Sequence, residues 1–173
     1  GGRRAFKGAL MEGGIGVPFI ARWPGKIAAG RVDKTSVLSA VDLLPTFCEL
    51  GNVKLPKSYK PDGMSQVPAL MGKGNPLRKK PIFWRMSAPW PANETKPDHW
   101  VAYAVVNEQW KLVVNKDQSH VELYDLVKDP LERTDLSAKN LETVKNMINL
   151  LNIWLGTIPA KPTGNVFSSL REN

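Results

Sequence analysis

The chain has 173 residues, of which 42% are hydrophobic, enough for a packed core and too apolar for wholesale disorder. Its formal charge of +8 points to an anionic partner. The basic residues are scattered, with Arg78-Lys79-Lys80 as the tight run, and no helix-turn-helix or RNA-binding signature is present, so nucleic acid is not the expected partner. No apolar run approaches the roughly 20 residues that a membrane helix needs. The one cysteine, Cys48, excludes an internal disulfide and reads as a small buried apolar residue. With His99 and His120 far apart, no zinc site is expected from this chain. The opening Gly1-Gly2-Arg3-Arg4, without an initiator Met or an apolar signal segment, reads as part of a longer protein.

In chain order, Val17 to Trp23 is an apolar run with turn residues on both sides and predicts a short buried strand. Gly13 and Gly14 allow positive φ, so a sharp turn is expected to hold Lys7 and Glu12 near the entry to that strand. Glu12 is expected to orient this turn or to pair with a basic neighbour. The next apolar set runs over Ser36 to Leu50 and carries a helix with Asp42 as N-cap, Pro45 in the first turn and Gly51 at its end. Residues 52–68 read as loop. Asp62-Gly63 offers turn chemistry with too few carboxylates for a calcium loop. Gly63-Met64-Ser65-Gln66-Val67 lacks the second glycine of a nucleophile elbow, and Gly72-Lys73 lacks the upstream glycine of a phosphate-binding loop.

Residues 81–85 predict a strand, followed by a proline-rich loop over 86–99 that contains Trp90 and the acceptor-like Asn93-Glu94-Thr95. Trp100 to Val106 and Trp110 to Asn115 predict a hairpin joined by Asn107-Glu108-Gln109, and Val121 to Leu126 another strand. Leu141, Val144, Met147, Ile148, Leu151, Trp154 and Leu155 form a helical stripe, with Asn140 and Gly156 as its caps. This helix should lie across the antiparallel strands.

Several blocks resemble the type I sulfatases of the alkaline-phosphatase-like superfamily. Lys7-x4-Glu12-Gly13-Gly14, leading into Val17-Pro18 and Trp23-Pro24-Gly25, is similar to the segment after their metal-binding Asp-Asn-Gly. Asp42-Leu43-Leu44-Pro45-Thr46, Asp62-Gly63-Met64-Ser65 with Pro68-Ala69-Leu70-Met71-Gly72, Trp110-Lys111-Leu112, and Leu123-Tyr124-Asp125-Leu126 with Asp129-Pro130-x-Glu132 follow in the family's order. Two positions depart from it: Gly16 stands where the family commonly has an arginine, and Val105-Val106-Asn107-Glu108 where it tends to have Val-Arg-x-Gly.

The resemblance implies an α/β fold. Residues 1–80 would be the last part of the large sulfatase α/β sandwich and 81–158 a small antiparallel β-sheet subdomain packed by a helix at about 140–155. Residues 159–173 would be an extended tail. It implies sulfate ester hydrolysis of aryl or sugar substrates with a formylglycine nucleophile and Ca²⁺, both supplied outside this chain. Cys48, followed by Glu49-Leu50-Gly51, does not fit the Cys-x-Pro/Ser-x-Arg modification context. The fragment alone should be inactive, a sulfated polysaccharide is the favoured partner, and the compartment would be periplasmic, extracellular or lysosomal. Lys7 is the implied sulfate-binding cation. Trp90 and His99 are candidate substrate contacts; Trp100 reads as core and His120 as a turn residue. The alternatives are a phosphate or phosphonate ester hydrolase of the same superfamily, and a basic non-catalytic module that binds carbohydrate or nucleic acid.

Overall fold

The computed structural model describes residues 2–73, 78, 80–86 and 97–159. Trp90 and the predicted tail from 160 onward lie outside the described residues. Four strands form one antiparallel sheet in sequence order: β1 (Ile82–Arg85), β2 (Tyr103–Asn107), β3 (Trp110–Val114) and β4 (Val121–Asp125). Asn107 pairs with Trp110, so the β2–β3 turn is Glu108-Gln109 alone, with Glu108 in the left-handed region at φ 53°. This turn is one residue shorter than the spacing predicts.

The alternation of side chains along each strand gives the sheet two different faces. Val105, Leu112 and Leu123 are cross-strand neighbours on one face and pack against Met147 and Leu151. Those residues belong to the helix Leu141–Thr157, and Trp154 on the same helix stacks on Phe83 with ring centroids 4.9 Å apart. The predicted stripe therefore covers this face, apart from Leu141, which is exposed. Gly156 does not end the helix, which runs on to Thr157. Asn140 does not cap it through its side chain: its amide donates to the Leu136 carbonyl, while its own carbonyl accepts from Val144.

On the opposite face Ala104, Val113 and Tyr124 pack with Leu10 and Met11 from the N-terminal segment. That segment holds a single helical turn, α1 (Glu12–Ile15). The other α-helices among the described residues are α2 (Leu43–Leu50), α3 (Val67–Leu70) and the sheet-covering helix, α4 (Leu141–Thr157).

Three expectations about the first fifty residues need correction. Val17 to Trp23 forms no strand and is exposed, with Ile20 at 90%. A strand draws its backbone hydrogen bonds from a neighbour, and none of the four described strands pairs with this segment. Asp42 starts α2 without capping it through its side chain. Its buried carboxylate is taken by Arg78, at 2.7 and 2.9 Å, and by the amides of Ser39 and Met64. Cys48 is a free, partly buried thiol rather than a core residue, because α2 leaves much of its apolar face open, with Phe47 61% exposed.

Candidate functional site

The candidate cation Lys7 lies in the loop from Arg4 to Gly13, which is closed by the Gly13 amide donating to the Arg4 carbonyl at 2.8 Å. Inside it, Ala9 donates to the Phe6 carbonyl at 3.1 Å, and Gly8 turns the chain at φ 96°. Ala9, Leu10 and Met11 are buried, so the loop is fastened along its second half while Lys7 itself stays exposed. The double glycine is required, for a different reason from the one expected. Gly13 and Gly14 are helical; a Cβ on Gly13 would fall 2.2 Å from the Ala5 carbonyl oxygen, and one on Gly14 2.0 Å from that of Ala9. Close backbone approach, not positive φ, calls for glycine here.

Both ends of the loop are held by charge. At the start, the Arg4 guanidinium donates to Asp98 at 2.6 and 2.9 Å, to Glu122 at 3.0 Å and to the Tyr124 hydroxyl. Burial opposes the Arg4 charge, but the bond to Asp98 and the fields of Tyr124 and Glu122 outweigh it and hold the pKa above its ordinary value. Burial, reinforced by the hydrogen bond to Glu122, pushes the Tyr124 hydroxyl well up, so it remains a donor.

At the other end, Glu12 pairs with Arg3 at 3.0 Å and with Lys111 at 3.0 Å. Lys111 is completely buried and also lies 2.8 Å from Glu132, whose second oxygen accepts from the Glu12 amide at 2.7 Å. Burial raises the Glu132 carboxyl above the usual carboxylate range, while Lys111 pulls in the opposite direction. Glu12 thus pairs with basic neighbours and orients the turn, as its place beside the glycines suggested. The guanidinium of Arg3 fills the space beside Gly16, where a Cβ would meet it at 2.1 Å.

His99 comes to the same loop. It is buried in a short 3-10 turn, Pro97–Trp100, and its Cε1 lies 3.9 Å from where a Gly8 Cβ would be. Phe6 packs on the imidazole with centroids 5.8 Å apart. Phe6 and Gly8, which flank Lys7, therefore both lie close to His99, and the neighbouring Asp98 is the partner of Arg4. Trp100 and His120 form an edge-on pair at 4.3 Å, and His120 faces Glu122 at 3.5 Å.

Two concavities, of about 530 and 1650 Å³, are lined by neither Lys7 nor His99. Among the described residues no group of three or more His, Cys, Asp or Glu is placed to hold a metal ion. The carboxylates nearest the loop, Asp98, Glu122, Glu12 and Glu132, already face Arg4 and Lys111. The described donor set thus does not fit a calcium site. No described helix is long and apolar enough to cross a membrane.

Lys111, Glu132, Arg4 and Asp98 were not singled out as site residues from the sequence. Lys111 carried a signal, since alternation along β3 puts it on the same face as Val113, an apolar position that only a paired charge can occupy.

Residues 3–154 match the family described as N-sulphoglucosamine sulphohydrolase, C-terminal. A sulfatase of Formosa agariphila is 31% identical, over 88% of this chain and 29% of its own length. An N-acetylgalactosamine-6-O-sulfatase of Bacteroides thetaiotaomicron is 26% identical, over 86% of this chain and 29% of its own. The crystal structure of Ps i-CgsB superposes with a TM-score of 0.72 at 27% identity, covering 88% of this chain and 31% of that one. The same protein has been solved in complex with k-i-k-neocarrahexaose. This chain spans roughly 30% of the length of the curated relatives it matches.

Proposed function

Because the chain belongs to the N-sulphoglucosamine sulphohydrolase C-terminal family, and so is a C-terminal portion of a sulfatase with the alkaline-phosphatase-like fold, we propose that Lys7 is a sulfate-binding cation of a sulfate ester hydrolase. One observation carries the assignment: Lys7 stays exposed in a loop whose two ends are tied down by partly buried ion pairs. Charge builds on the sulfuryl and leaving oxygens as a sulfate ester breaks, and a fixed cation stabilises it there. An ammonium suits the role, being a compact charge with three donors on a long stem. His99, under the same loop, and Trp90 are proposed to shape the pocket for the rest of the substrate.

Sulfated sugars are the proposed substrate class, supported by the named specificity of the Bacteroides relative and by the neocarrahexaose complex of the structural neighbour. The formylglycine nucleophile and Ca²⁺ are proposed to sit on residues outside this chain. Residues 1–80 would then complete the large domain, and 81–158 would form the subdomain that braces the Lys7 loop.

The test is turnover of 4-nitrocatechol sulfate by the full-length protein and its Lys7→Ala variant, with N-acetylgalactosamine 6-sulfate as the sugar substrate. Loss of one charge-stabilising donor costs about 10²–10³-fold in kcat. A folded Lys7→Ala protein with undiminished turnover of both esters would remove the assignment.

A further inference from the structure

The buried ion cluster behind the loop has no part in the chemistry just described, yet it joins three segments far apart in sequence. Glu12 comes from the turn that closes the Lys7 loop, Lys111 from the middle of β3, and Glu132 from the segment after β4. Lys111 is 0% exposed and Glu132 is 0% exposed, so neither contributes to solubility or to a surface contact. A well-packed apolar trio of the same volume would be expected to stabilise the fold as well or better. What such a trio would not do is fix the position of Glu12. Lys111 holds the Glu12 carboxylate at 3.0 Å, Glu132 holds the Glu12 amide at 2.7 Å, and the next amide, that of Gly13, closes the loop on Arg4. The closing end of the loop is thereby registered to the sheet by charge-assisted bonds, which are both shorter and more directional than apolar packing.

We infer that Lys111, braced by Glu132, is a positioning residue: by holding Glu12 it sets where the Lys7 ammonium stands. The inference rests on the reading of Lys7 as the sulfate-binding cation. A misplacement of about 1 Å at a reacting centre costs on the order of 10²-fold in rate, so a frame that keeps Lys7 in register is worth nearly as much as the ammonium itself.

A double-mutant cycle in the full-length protein, read as kcat/KM on 4-nitrocatechol sulfate per folded molecule, tests it. Lys111→Met keeps the length of the stem and removes the charge. The expected result is a loss of about 10²-fold for Lys111→Met, and no further loss when it is added to Lys7→Ala. If the two losses multiply, Lys111 acts independently of Lys7 and the inference fails while Lys7 keeps its role. If Lys111→Met turns over like the wild type and Lys7→Ala does not, the inference fails alone. If Lys7→Ala turns over like the wild type, the sulfate-site reading fails and takes the inference with it. Should Lys111→Met not fold, Glu132→Gln, which preserves shape and removes the brace, enters the same cycle under the same criteria.

Discussion

Gly14→Ala separates a loop shaped by backbone approach from one shaped by helix propensity. Gly14 is helical, and replacing a helical glycine by alanine ordinarily stabilises by about 1 kcal/mol. Here the new methyl would fall 2.0 Å from the Ala9 carbonyl oxygen, 2.8 Å from its carbon and 2.9 Å from the Phe6 oxygen. Contacts of that kind do not fall below 3.0 Å, so the backbone at Ala9 must move by about 1 Å. Ala9 cannot swing outward freely, because it is 4% exposed and leads into the buried Leu10 and Met11. Forced shifts of this kind cost about 1–3 kcal/mol, which reverses the sign expected from propensity. Ala9 is two residues from Lys7, so the same shift should lower kcat/KM by about 10²-fold. Denaturant unfolding of the variant and its turnover of 4-nitrocatechol sulfate provide the two readouts. A Gly14→Ala protein as stable and as active as the wild type would refute this account of the loop.

Gly156→Ala is the matching control: it lies within α4 with no atom within 4 Å of a new Cβ, so it should raise stability by about 1 kcal/mol in the same unfolding assay. Asp42→Ala should lower stability by about 3–5 kcal/mol, because it leaves the Arg78 guanidinium buried without its carboxylate. It should also expose the Ser39 and Met64 amides to faster hydrogen exchange, since both donate to that carboxylate.

The half of the fold that follows residue 80 was legible because its signals are local. Apolar, β-prone runs gave the four described strands, although the run from Trp100 begins three residues before β2, and the three-and-four spacing gave α4 to within two residues of each end. The first fifty residues were read less well because their structure depends on distant partners. Val17 to Trp23 has the composition of a strand, but composition cannot supply the neighbouring strand that would pair with it. Asp42 has the chemistry of an N-cap, and nothing local announces that Arg78, 36 residues on, takes its carboxylate instead.

The candidate site was legible in its exposed member and opaque in its frame. Lys7, Glu12 and the double glycine form one contiguous block, and Glu12 does pair with basic residues. Lys111 and Glu132 lie 99 and 120 residues beyond Glu12, so only the folded chain brings their charges to one point. His99 emerged as a candidate from the family resemblance of the C-terminal subdomain. Its position near Phe6 and Gly8 places it at the loop that carries Lys7, whereas Trp100 packs with His120.

The most direct measurement is a crystal structure of the full-length protein with a sulfated sugar bound. The account predicts the Lys7 ammonium within about 2.7–3.2 Å of a sulfate oxygen, with the Glu12–Lys111–Glu132 contacts intact behind it. A sulfate group bound elsewhere, with Lys7 extended into solvent, would contradict it.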